Sequence, residues 1–61
     1  MPIIKVELTH QPKEKKKEII ERLTKTMVEV TGIPAQAFTV LINEYDADSI
    51  GVAGVPLSER K

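Results

Sequence analysis

The chain has 61 residues, 41% of them hydrophobic, with nine basic side chains against nine acidic ones, one histidine and no cysteine. One domain over residues 1–61 is all this length allows, and a chain so short buries only about 60% of its unfolded surface. Disulfides and thiolate metal sites are excluded, the lone His10 falls short of the roughly four ligands of a zinc centre, and the cancelled charge argues against a nucleic-acid partner.

Pro2 to Leu8 reads as a strand, with Ile4, Val6 and Leu8 on one face and Ile3, Lys5 and Glu7 on the other. Thr9-His10-Gln11-Pro12 follows as a loop, its proline suited to the first turn of a helix. The helix is predicted over Lys13 to Thr31, where Ile19, Ile20, Leu23, Met27 and Val30 form an apolar stripe. Glu18 with Arg22 and Glu21 with Lys25 fall at the favourable i, i+4 spacing on the wet side. The run Lys15-Lys16-Lys17 reads as solvated helix surface, although the dipole disfavours cations in a first turn. Gly32 fits the position just past the helix end, and Pro34 marks the stop.

Ala37 to Tyr45 reads as a second strand, Phe38, Val40 and Ile42 facing one way and Thr39, Leu41 and Asn43 the other. Asp46 to Ser49 is a turn. The glycine-punctuated apolar run Ile50 to Val55 suits a short hairpin, and Pro56 to Lys61 is a polar tail. Strand, long helix, strand is a βαβ unit, with a right-handed crossover and parallel strands. Both strands carry apolar groups on both faces, the mark of a sheet covered on each side. Two strands do not stand alone as a sheet. With no disulfide and no metal to staple it, the sequence calls for a self-associating α/β unit. No apolar run approaches the roughly 20 residues of a membrane span. No charged start leads into an apolar signal core, so the cytoplasm is the expected compartment.

Pro2, directly after Met1, stands out chemically. Initiator removal favours a small second residue, and it would turn Pro2 into a free secondary amine. A free α-amine titrates at about 7.7–8.0, against about 10.4 for lysine, and a general base works best with a pKa near the operating pH. The plain structural alternative is that Pro2 merely begins a strand, where its missing N–H costs nothing. The other candidates have plain readings too. His10 reads as a solvated loop residue, Asp46 and Asp48 as turn formers, Glu44 and Asn43 as polar strand-end residues, and Gly51 and Gly54 as shape requirements of the backbone.

Pro2 after Met1, a short strand, one long helix, a second strand and the segment Ile50-Gly51-Val52-Ala53-Gly54 together resemble the short-chain 4-oxalocrotonate tautomerases over the whole chain. The resemblance implies an isomerase without cofactor or metal, whose amino-terminal proline is general base and then acid. The implied substrate is a small organic acid, a 2-oxo or 2-hydroxy-dienoate acid interconverted between enol and keto forms. It also implies a homohexamer, a trimer of dimers in which two βαβ units share one four-stranded sheet. Another proline-dependent reaction, hydration or dehalogenation of a small unsaturated acid, is the first alternative. A non-catalytic self-assembling scaffold is the second.

The resemblance carries over residue by residue only in part. Pro2 matches. The best-known members of the family carry an arginine in the loop after the first strand, where this chain has Thr9-His10-Gln11-Pro12. They carry another at the position that, counted from Pro34, is Thr39, and an aromatic before the glycine at Gly51, where this chain has Ile50. The chain's arginines are Arg22 and Arg60. Pro2 is therefore the expected catalytic residue, with Thr39 and Ile50 lining the pocket. Lys13, or Lys15, is then the expected stand-in for a carboxylate-binding arginine. A lysine offers a point charge and not a bidentate fork.

Overall fold

The computed structural model describes residues 2 to 60. Met1, whose removal would free the Pro2 amine, and Lys61, the end of the expected polar tail, lie outside them. Strand β1 runs Ile3–Thr9, helix α1 Lys13–Thr31 and strand β2 Thr39–Tyr45; β3 (Gly51–Val52) and β4 (Val55–Pro56) form a C-terminal hairpin. Strands β1 and β2 pair in parallel from Ile3↔Thr39 to Thr9↔Tyr45, and β3 pairs antiparallel with β4. The expected βαβ unit with a short hairpin is the observed architecture.

Local chemistry accounts for the boundaries. Pro12 caps α1 in extended backbone, and its carbonyl accepts from the N–H groups of Lys15 and Lys16 at 3.0 and 3.1 Å. At the other end Gly32 adopts φ +75° and donates to the Val28 carbonyl at 2.9 Å, a left-handed cap that costs glycine little. The second strand begins later than expected. Ala35–Ala37 is a 3-10 turn, closed by the Ala37 N–H donating to Pro34 and the Phe38 N–H to Ala35. Ala37 is thus spent on the turn, and the ladder starts at Thr39.

The hairpin is a two-residue turn with Ala53 at φ +54° and Gly54 at φ +82°, the left-handed pair a type I′ turn needs. Gly51, expected to serve backbone shape, has no positive φ, and a Cβ there would meet only ordinary van der Waals contact with the Val55 carbonyl. The expected polar tail contains a further 3-10 turn, Leu57–Glu59, and both it and β4 pack on the turn Ala47–Ser49.

The helix covers one face of the sheet. Ile4, Val6 and Leu8 of β1 and Val40, Ile42 and Glu44 of β2 are half-buried on that side. The apolar stripe of the helix is narrower than its sequence suggests. Ile19, Leu23 and Met27 are half-buried, joined by Thr24 and Val28, whereas Ile20 is 41% and Val30 78% exposed. Neighbours 100° apart on a helix do not both face a two-stranded sheet, so Ile20 lies in an open groove with Ile42. The opposite face of the sheet is uncovered, with Ile3 51% and Leu41 42% exposed.

No described residue is fully buried. The accessible surface is 4921 Å², against about 4000 Å² for a compact monomer of this mass. The radius of gyration is 14.8 Å, where a compact chain of this length has about 10.5 Å.

Candidate active site

The two ends of the parallel ladder are built differently. At its beginning, the Thr39 N–H donates to the Pro2 carbonyl at 3.1 Å. This bond continues the ladder one residue beyond β1 and fixes the backbone of Pro2 at the head of the strand. Pro2 and Thr39 are both half-buried. The connection leading into Thr39 is the tight turn after Pro34, so the position of Thr39 beside Pro2 follows from backbone geometry.

At the far end, side chains do the tying. The Glu44 carboxylate accepts from the Gln11 N–H at 2.9 Å and from Lys16 Nζ at 2.9 Å. His10 Nδ1 stands 3.6 Å from the same carboxylate, and His10 Nε2 lies 2.6 Å from Asp46 Oδ1. The Gln11 N–H first, then Lys16, hold the Glu44 carboxyl below the usual glutamate range. The loop Thr9–Pro12 is thereby fastened to the end of β2. Beyond it, the Ser58 hydroxyl donates to Asp48, tying the two turns beside the hairpin.

Lys16 departs from the reading of its run as solvated surface. It faces the sheet and is the partner that makes an inward-pointing Glu44 tolerable. Arg22 pairs with Glu18 at 2.8 Å as the spacing predicts, but Glu21 meets Lys17, at 4.0 Å, and not Lys25. On the uncovered face of the sheet, the Tyr45 hydroxyl donates to Glu7 Oε1 at 3.0 Å. That carboxylate raises the pKa of the phenol.

Of the residues expected around Pro2, the ladder brings Thr39 alongside it. Lys13 opens the helix after the far end of β1, and Ile50 follows the far end of β2. Seven steps of strand put that end about 23 Å from Pro2, so within one chain Lys13 does not reach the proline.

The model of the tautomerase enzyme family matches residues 2–60. The chain belongs to the tautomerase family. A probable tautomerase of Ralstonia nicotianae is 40% identical over 62 aligned positions, covering all of this chain and 89% of its own. The 2-hydroxymuconate tautomerase of Comamonas testosteroni is 35% identical over 52 residues, 85% of this chain and 82% of its own. Among solved structures, YwhB, a homologue of 4-oxalocrotonate tautomerase, superposes with a TM-score of 0.90 at 30% identity, covering 98% of this chain and 100% of that one.

This tautomerase is thus an isomerase of the 4-oxalocrotonate tautomerase type. The far-end network escaped the sequence reading, which took Glu44, His10 and Asp46 singly. A signal was present. Glu44 shares the parity of Val40 and Ile42, and Lys16 lies three residues before Ile19 on the apolar side of the helix. Among the described residues no group of three or more histidine, cysteine or acidic side chains is disposed to hold a metal. Among the described residues no helix is long and apolar enough to cross a membrane.

Proposed function

We propose that, once Met1 is removed, the Pro2 amine takes the hydroxyl proton of a small 2-hydroxy-dienoate or related 2-oxo acid in its enol form. The C=C electrons move to a conjugated carbon as the enol becomes a ketone, and the protonated amine returns the proton to that carbon. One group that accepts and then donates suffices, without metal or cofactor. The observation that carries this reading is the 3.1 Å bond from the Thr39 N–H to the Pro2 carbonyl. It holds the prospective amine at a fixed point, with half-buried Thr39 beside it.

The site is completed by other copies of the chain. An extended protomer with no fully buried residue, an uncovered sheet face and an open Ile20–Ile42 groove supports a homo-oligomer. Joining two βαβ units through their sheet edges, and three such dimers through the uncovered faces, gives the hexamer. The Ile50 hairpin and the Lys13 helix start reach a neighbour's proline in such an assembly. Sedimentation at micromolar protomer concentration should show the hexamer, and a folded monomer would contradict it.

The direct test of mechanism is turnover of phenylenolpyruvate, an enol acid with an apolar end, by protein whose intact mass shows Met1 removed. Activity in the processed chain and none in the Met1-retaining chain is the expected pair of results. Equal rates would exclude Pro2 as the base.

A further inference from the structure

The uncovered face of the sheet carries one acid and one base. Glu7 and Lys5 of β1 stand on it, opposite Asn43 and Leu41 of β2. No other charged side chain of the two strands shares that face. Glu7 is oriented. The Tyr45 hydroxyl donates to its Oε1 at 3.0 Å, and its Oε2 engages no described residue. Tyr45 lies opposite Thr9, so this bond draws the carboxylate across to β2 and toward the far end of the ladder. It draws it away from its own Lys5, whose backbone is about 6.7 Å back along the strand. Lys5 forms no ion pair with any described residue, Glu7 included.

An assembly joined through this face takes both charges out of water. A charge buried without a partner is costly, and so is a buried pair that has lost one member. Whatever covers the face therefore has to bring an anion to Lys5 and a cation to Glu7. A second copy of the same face brings one of each. It also brings apolar surface to cover Ile3 and Leu41, which are 51% and 42% exposed. Closed symmetric assemblies repeat the same contact between identical chains, so a face with one charge of each sign is satisfied at every copy.

We infer that Lys5 of one chain pairs with Glu7 of a neighbouring chain across the uncovered sheet faces, and that this pair, with Glu7 oriented by Tyr45, fixes the register in which the faces meet. This rests on the reading of the protein as a hexamer built through those faces. The apolar residues supply attraction without direction, and the charges admit one alignment and penalise the others.

Sedimentation at micromolar protomer concentration reads the pair. Lys5→Glu sets carboxylate against carboxylate at each contact, and Glu7→Lys sets ammonium against ammonium. Each variant should lose the hexamer and run as dimers held by the sheet edges. The exchanged protein, Lys5→Glu with Glu7→Lys, should recover the hexamer. If both single variants stay hexameric, or the exchange recovers nothing, the pair is overturned and the hexamer stands. If the wild type itself runs as monomer or dimer, both are overturned. Coupling with a carbodiimide, which condenses an amine and a carboxylate in contact with loss of water, shows which chains the pair joins. In the wild type, tryptic peptides should show Lys5 of one chain linked to Glu7 of another, two peptides joined in one mass. A link within a single chain, seen as one peptide lighter by a water, or no link at these residues, overturns the pairing between chains. This measurement needs no substitution, so it also decides the case in which a single variant fails to fold.

Discussion

The beginning of the parallel ladder and its far end solve the same problem by opposite means. The beginning is held by main chain: the Thr39 N–H on the Pro2 carbonyl, the 3-10 turn after Pro34, and the left-handed Gly32 that ends the helix. The far end is held by side chains, with Glu44 collecting Gln11, Lys16 and His10, and His10 reaching on to Asp46. A pocket that binds substrate needs its side chains for the substrate. On the proposed reading the Pro2 end is the substrate end, and it is fastened through backbone, while the polar groups of the far end are turned on one another. The difference also separates the effects of substitutions. Changes at the beginning should act on turnover, and changes at the far end on stability.

The largest expected effect breaks the beginning directly. Retaining Met1 converts the Pro2 nitrogen to an amide with no basicity, and losing a general base costs about 100- to 10,000-fold in rate. Pro2→Ala, processed to a primary amine, should retain a residual rate. The check is kcat/KM for phenylenolpyruvate on protein of verified mass. The next effect concerns the diacid. Two missing arginine anchors correspond to about 100- to 10,000-fold if they simply add, so a 2-hydroxy-dienoate monoacid should be turned over faster than its dicarboxylate analogue. Thr39→Arg should restore diacid activity, because Thr39 adjoins Pro2. A native preference for the diacid would show that a neighbouring subunit supplies the missing cations.

How much of this was legible beforehand varies with the kind of signal. The βαβ order and the whole span of α1 follow from period, cap and stop, because Gly32 and Pro34 act on their own backbone. The start of β2 was misplaced by two residues, since Ala35–Ala37 carries no turn residue of its own and is bent by Pro34. Thr39 was singled out by a count from Pro34, and the structure sets its N–H on the Pro2 carbonyl at the head of the ladder. The far-end network was not, because its members lie up to 36 residues apart in sequence and only the register of β1 on β2 brings them together. Ile20 and Val30 belong to the stripe by spacing, yet they are exposed in the single chain, which sets only two strands beneath the helix.

Gly32→Ala asks whether backbone alone sets the beginning of the ladder. Nothing lies within 4 Å of a Cβ built there, so the cost is the left-handed φ of +75° by itself, about 1–2 kcal/mol. Denaturant unfolding at fixed protomer concentration should show that loss with an unchanged m-value. If Gly32→Ala were neutral, the cap would not be what positions the connection to Thr39.

The smallest effect is expected at the far end, and pH gives it a signature. Glu44 is held below the usual glutamate range by the Gln11 N–H and by Lys16. A lowered native pKa means that the unfolded chain binds the proton more readily, so acid favours unfolding. The stabilisation from ionised Glu44 is complete above the ordinary glutamate value of about 4.3 and disappears as the pH falls through the lowered native value. Glu44→Gln keeps the shape and removes the charge. The wild type should therefore be the more stable protein at pH 6–7 by a constant margin, and that margin should close below about pH 4.3. The activity of Glu44→Gln per folded protomer should match that of the wild type, since Glu44 stands at the end of the ladder away from Pro2. Unfolding midpoints of the two proteins across this range, at one protomer concentration, provide the check. A margin that persists at pH 3 would mean that the Lys16 contact owes its worth to packing of the side-chain stems and not to charge. A loss of turnover at neutral pH would mean that the two ends of the ladder are coupled through the assembly, and the division of labour between them would fail.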